Sequence, residues 1–87
     1  MMVLVVPKIR AKLHGELKNT LLEISRNVFV GNPSKRIRDI LWEQVRSAGQ
    51  DAIIAYTTNN LQGFAVETVG KYTEEIVKTQ GFYLSKI

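Results

Sequence analysis

The sequence predicts an α+β domain in which two amphipathic helices lie on one face of a mainly antiparallel sheet. Three observations predict it. Apolar, β-branched runs near 2–6, 26–31, 52–58 and 64–69 have strand composition. Two intervening stretches place apolar residues at helical spacing. Corners built from Gly, Asn and Pro separate these segments, with no repeat and no low-complexity linker.

The first strand is Met2-Val3-Leu4-Val5-Val6, a continuous apolar run that ends at Pro7. Such a run suits a strand near the middle of a sheet, covered on both faces. From there Ile9, Leu13, Leu17 and Leu21 recur at every fourth position, and Leu22 and Ile24 widen the stripe, while Lys8, Arg10, Lys12, Glu16 and Lys18 fall outside it. This predicts an amphipathic helix over residues 9–23. Gly15 within it costs about 1 kcal/mol relative to alanine. It reads either as a tolerated glycine or as a place where another backbone or a phosphate comes close.

The chain is organised around Val28-Phe29-Val30-Gly31-Asn32-Pro33-Ser34, a strand that turns a tight corner into a helix. Gly31 is expected to supply a backbone angle that other residues resist, Asn32 or Ser34 to cap the first amides of the helix, and Pro33 to occupy a position with no amide to donate. The second helix is expected to bury Ile37, Ile40, Leu41, Val45 and Ala48, with Gln44 the polar member of that arc. Trp42 lies off the arc, one turn from both Arg38 and Arg46, where guanidinium groups can stack on the indole. It reads as a cover for the rim of the core, or as the centre of a basic, aromatic face for nucleic acid.

Ala48-Gly49-Gln50-Asp51 ends this helix. Residues 52–58 and 64–69 then form a hairpin around Asn59-Asn60-Leu61-Gln62-Gly63, a turn rich in residues that accept positive φ. Residues 70–80 are more polar and are expected to cross the surface, with at most one turn or bridge at 75–78; residues 81–87 give a last short strand. The predicted order is β-α-β-α-β-β-β in a single domain over residues 1–87. A ferredoxin-like sandwich fits that order. The terminal strand is left over from such a core, and a leftover strand with an exposed edge tends to pair with another chain.

Composition narrows the function classes. With 87 residues, 45% of them hydrophobic and 23% charged, the chain can build one modest core, and burying surface against a second copy would add to it. A homodimer is therefore expected. Twelve Lys and Arg against eight Asp and Glu give a net charge of +4, compatible with a polyanionic partner. The absence of cysteine excludes a disulfide framework and thiolate metal sites. His14 is the only histidine, which excludes a histidine metal cluster, and no serine or cysteine triad is expected. No glycine-rich phosphate loop is present. Asp39 and Glu43, surrounded by Lys35, Arg36 and Arg46, read as surface ion pairs. The apolar segment at 1–7 is too short for a signal sequence or a membrane span, so a cytoplasmic location without a membrane partner is expected.

The motifs Leu13-His14-Gly15-Glu16-Leu17, Leu21-Leu22-Glu23-Ile24, Val28-Phe29-Val30-Gly31, Ser34-Lys35-Arg36-Ile37-Arg38, Leu41-Trp42-Glu43 and Gly63-Phe64 occur in an order and spacing that resembles the type I-E subgroup of the small CRISPR-associated adaptation protein "Cas two". The resemblance covers about residues 3–70 and is specific in combination rather than in any one motif. It implies a ferredoxin-like homodimer that sits between dimers of the catalytic CRISPR integrase subunit and helps hold a double-stranded DNA prespacer during spacer acquisition. It also implies that the C-terminal strand, with Phe82, Tyr83 and Leu84, is the part grasped by the integrase subunit.

Two departures from the family pattern matter. Family members reported as metal-dependent nucleases resemble one another in an aspartate at the end of the first strand, and this chain has Pro7 and Lys8 there. Neither supplies the oxygen ligands that a hard cation requires. The expectation is no catalytic residue, no bound metal and no cofactor. Mg²⁺ enters only under the alternative, a metal-dependent endonuclease (an endoribonuclease or a double-strand deoxyribonuclease). The second departure is in the subgroup's basic motif, which resembles Arg-x-Arg-Gly and stands here as Lys12-Leu13-His14-Gly15. Lys12 and His14 beside Gly15, supported by Lys8 and Arg10, are therefore the expected DNA-binding residues, with Arg38, Trp42 and Arg46 as a second candidate face. A solvated helix face, in an interaction module that binds no nucleic acid, is the plainer reading of the same residues.

Overall fold

The structure is a computed structural model, and it describes residues 1–72. The elements are β1 (Met2–Val5), α1 (Ala11–Lys18), β2 (Leu22–Ser25), β3 (Val28–Gly31), α2 (Lys35–Ser47), β4 (Ala52–Thr57) and β5 (Phe64–Val69). The five strands form one sheet in the order β2-β3-β1-β4-β5, and every pair is antiparallel. Leu13 and Leu17 of α1 and Leu41, Trp42 and Val45 of α2 share one core with Met2, Leu4, Phe29 and Ile54 of the sheet, so both helices cover the same face. This is the ferredoxin-like α+β architecture, with β5 added beside β4.

The observed order, β-α-β-β-α-β-β over the described residues, corrects the predicted one. The first helix ends at Lys18 rather than 23, and residues 22–25 form a strand. Leu-Leu-Glu-Ile is compatible with either period, and the corner after it decides between them. Arg26 and Asn27 form a two-residue corner with Asn27 in the left-handed region at φ 62°, a conformation that asparagine tolerates, and β2 then pairs with β3. A register shift between Glu23 and Ser25 interrupts the pairing at Ile24, which is exposed, as is Leu22. The strand expected over about 26–31 begins at Val28.

β1 is central, as its apolar run predicts, paired with β3 on one side and β4 on the other. Only one face is fully covered among the described residues: Met2 and Leu4 are buried, while Val3 and Val5 are half-buried. Gly31 has a different role from the expected one. Its φ is not positive; a Cβ there would lie 2.6 Å from Leu21 Cδ2, so it is glycine that lets Leu21 close over the strand. Ser34 is the cap, its Oγ accepting from the Ile37 N–H at 3.3 Å.

On α2, Leu41 and Val45 are buried as expected, but Ile37 and Ile40 are exposed and Trp42 is buried, so the buried arc is rotated toward the indole. A stripe centred on Leu41 and Val45 can widen to either side, and the larger apolar area of the indole gains more from leaving water. Gly49, at φ 70°, ends the helix in the left-handed conformation common after a C-cap. The predicted β4–β5 hairpin is present, with its first strand ending one residue earlier at Thr57. Its loop is held by Asn60, whose Oδ1 accepts from the Gly63 N–H at 2.8 Å and whose Nδ2 donates to Phe64 O at 2.7 Å. The predicted turn or bridge at 75–78, the strand at 81–87, and Phe82, Tyr83 and Leu84 lie outside the described residues.

Candidate nucleic-acid interface

The connection from β1 to α1 carries Lys8 and Arg10, and Lys12 lies in the first helical turn. All three residues are exposed, while Ile9 between them packs against the core. The fold sets the backbone of this connection from both sides. The Asn27 side chain donates Nδ2–H to Pro7 O at 2.7 Å, and the Val6 N–H donates to Asn27 O at 3.1 Å. Gln50, buried just after α2, donates Nε2–H to Lys8 O at 2.7 Å and accepts the Arg10 N–H on Oε1 at 3.1 Å.

Among the described residues, no carboxylate lies within ion-pair distance of Lys8, Arg10 or Lys12. The first turn of α1 contains no acidic residue, and Arg10 at the N-cap makes no side-chain cap. A helix start already carries partial positive charge, and it normally attracts an acidic side chain. Here two cations are added to it instead, an arrangement that an external anion would relieve. Arg10, Lys12 and Glu16 face Gln44 and Ser47 across an open cleft of about 340 Å³ between the helices. Gly15 projects into open space, so nothing among the described residues requires its missing side chain.

His14 is placed differently. Its Nε2 is 2.9 Å from Glu23 Oε1, and its ring packs edge-on to Phe29 at 5.7 Å between centroids. The other Glu23 oxygen accepts the Asn27 N–H at 2.9 Å. That backbone donor, and after it the His14 hydrogen bond, holds the Glu23 carboxyl below its usual value. A protonated His14 thus has a carboxylate at hand to offset it, unlike Lys8, Arg10 and Lys12.

The second candidate face is not assembled. Trp42 is in the core, Arg38 lies over the Tyr56 ring at 3.8 Å from its centroid and 3.8 Å from Asp39, and Arg46 pairs with Glu43 at 3.4 Å. Together with Lys35–Asp39 at 3.5 Å, these are the surface ion pairs expected for Asp39 and Glu43. Tyr56 in turn donates its hydroxyl to Glu67 Oε2 at 2.5 Å, and this bond, with partial burial, raises the phenol above its usual range. Sequence reasoning missed Gln50, Asn27 and Glu23. Asn27 has a signal, as an asparagine between two apolar strands, whereas Gln50 is 42 positions from the Lys8 carbonyl it binds and has none.

The opposite face of the sheet is apolar. Register places Leu22, Val30, Val3, Ala55 and Val66 in one row across it and Val28, Val5 and Ile53 in the next, which ends in Ser25 and Thr68, with Phe64 paired to Thr57 beside them. No helix covers this face among the described residues, and Leu22 and Phe64 are exposed on it. No three His, Cys, Asp or Glu side chains among the described residues are grouped to hold a metal ion, and no described helix is long and apolar enough to cross a membrane.

The family described as CRISPR-associated protein (Cas_Cas2CT1978) matches this chain over residues 1–84. The chain belongs to this family. The match agrees with the resemblance carried by the sequence motifs and gives the protein a role in CRISPR adaptation. Among the described residues, the cations at the start of α1 form no ion pair and no helix covers the apolar face of the sheet.

Proposed function

We propose that this Cas two family protein is a non-catalytic, cytoplasmic structural subunit of the spacer-acquisition integrase complex, a homodimer that binds duplex prespacer DNA between catalytic integrase dimers. The observation that carries the DNA-binding part is the set of exposed cations, Lys8, Arg10 and Lys12, which form no ion pair among the described residues, at a helix start with no acid in its first turn. Such a set contacts phosphates and releases counterions whatever the base sequence. Pairing of two copies through the open sheet face would remove the valine-rich rows from water and present the basic end twice. The C-terminal segment with Phe82, Tyr83 and Leu84 would meet the integrase subunit, as the family resemblance implies.

The test is binding of labelled duplexes of unrelated sequence to the purified chain at low salt, with sedimentation at micromolar protein. The expected result is a dimer mass, sequence-independent binding, and intact DNA in the presence of Mg²⁺. Metal-dependent cleavage that is lost on Asp51→Ala or Glu67→Ala would replace this reading by the endonuclease one. No gel shift at low salt would leave an interaction module.

A further inference from the structure

The shape of the segment that bears Lys8 and Arg10 is imposed by two amide side chains from distant parts of the chain. Arg10 makes no side-chain cap of its own, and its backbone N–H and the Lys8 carbonyl both bond to Gln50, at 3.1 and 2.7 Å. Gln50 is 9% exposed, held between the end of α2 and the start of β4, so both of its polar ends are committed to this one segment. Asn27 ties the preceding residue through Pro7 O and is itself fixed by the Glu23 carboxylate on its backbone amide.

We propose that Gln50, assisted by Asn27, is a positioning residue for nucleic-acid binding, fixing the backbone at Lys8 and Arg10 so that both side chains meet the phosphates of a duplex in a preset arrangement. This rests on the reading that the basic end binds DNA. A buried amide that satisfies one carbonyl and one N–H two residues apart removes most of the segment's freedom before the ligand arrives, and ordering that is already complete does not subtract from affinity. Gln50→Met keeps the length and apolar stem of the side chain and removes both hydrogen bonds. Asn27→Gly keeps the left-handed backbone at φ 62° accessible and removes the side-chain bond to Pro7.

The experiment measures duplex affinity and its salt dependence for the full chain, in a double-mutant cycle. Gln50→Met is expected to weaken binding about tenfold with the salt slope unchanged, because the same phosphate contacts form from a less ordered segment. Asn27→Gly is expected to weaken it about threefold in the same manner. In a Lys8→Ala, Arg10→Ala background, where no cations remain on the segment to position, Gln50→Met is expected to change affinity less than about twofold. Equal loss in both backgrounds, or no loss in either, would overturn the positioning role while leaving the basic end as the binding site. Lys8→Ala, Arg10→Ala without effect would overturn the binding site and the positioning role together. Should Gln50→Met fail to fold, Asn27→Gly in the two backgrounds decides the matter by the same criteria.

Discussion

The start of α1 and the Arg38–Trp42–Arg46 side of α2 carry similar residue types, and the fold treats them in opposite ways. At α1 the backbone is tied down while Lys8, Arg10 and Lys12 form no ion pair among the described residues. On α2 the cations and the aromatic ring are consumed: Trp42 fills the core, Arg38 lies on Tyr56 and Arg46 pairs with Glu43. A positive charge already compensated within the fold brings little to a phosphate, since binding must first break its existing contact. Cationic residues on a helix are therefore informative about binding only once their internal partners are known.

The largest effect expected from this contrast is in stability. Trp42→Ala should cost about 3–5 kcal/mol, as truncation of a core aromatic does, seen as a lower midpoint in urea, while DNA affinity of the folded protein stays within about twofold. A large loss of affinity with stability intact would return Trp42 to a binding face. A smaller effect is expected from Tyr56→Phe, which keeps the ring beneath Arg38 but removes the hydroxyl from Glu67; it should cost about 1 kcal/mol and leave duplex binding unchanged. Because the Tyr56 phenol is raised above its usual range, near 10.0, its contribution is present below that value and is lost as pH rises through the raised one. Tyr56→Phe should flatten the alkaline limb of a stability–pH profile.

The smallest effect concerns Glu23 of β2, the partner of His14 on α1. Its carboxyl is held below the usual value of 4.5 by the Asn27 amide and by His14, so it stabilises the fold above pH 4.5, and that stabilisation is lost as pH falls through the lowered value. Thermal melts between neutral and acidic pH should show a shallower acid limb in Glu23→Gln than in the parent chain. An identical limb would mean that the His14–Glu23–Asn27 chain of hydrogen bonds contributes nothing to stability.

Much of this arrangement is legible in the sequence, and the remainder is hidden for identifiable reasons. The ferredoxin-like fold is readable because Met2–Val5, Val28–Gly31 and the β4–β5 hairpin have clear strand patterns. β2 is hidden because Leu21, Leu22 and Ile24 continue the spacing of Ile9, Leu13 and Leu17, and only pairing with β3 turns them into a strand. The buried side of α2 is ambiguous in a 13-residue helix whose apolar stripe can widen toward Ile37 and Ile40 or toward Trp42. The basic residues of the candidate site are visible as letters. That Lys8 and Arg10 form no ion pair with a described carboxylate, that His14 faces Glu23, and that Gln50 holds the segment are tertiary facts with no local signature.

The most direct test of the central claim is the slope of log affinity against log salt for duplex DNA, compared among the parent chain, Lys8→Ala/Arg10→Ala/Lys12→Ala and Arg38→Ala/Arg46→Ala. The first variant is expected to bind on the order of a hundredfold more weakly at about 0.1 M salt, with a slope reduced by about one unit for each phosphate no longer neutralised. The second is expected to keep the parent slope and an affinity within about threefold of it. A parent-like slope in the first variant together with a reduced slope in the second would place the DNA on α2 and contradict the account.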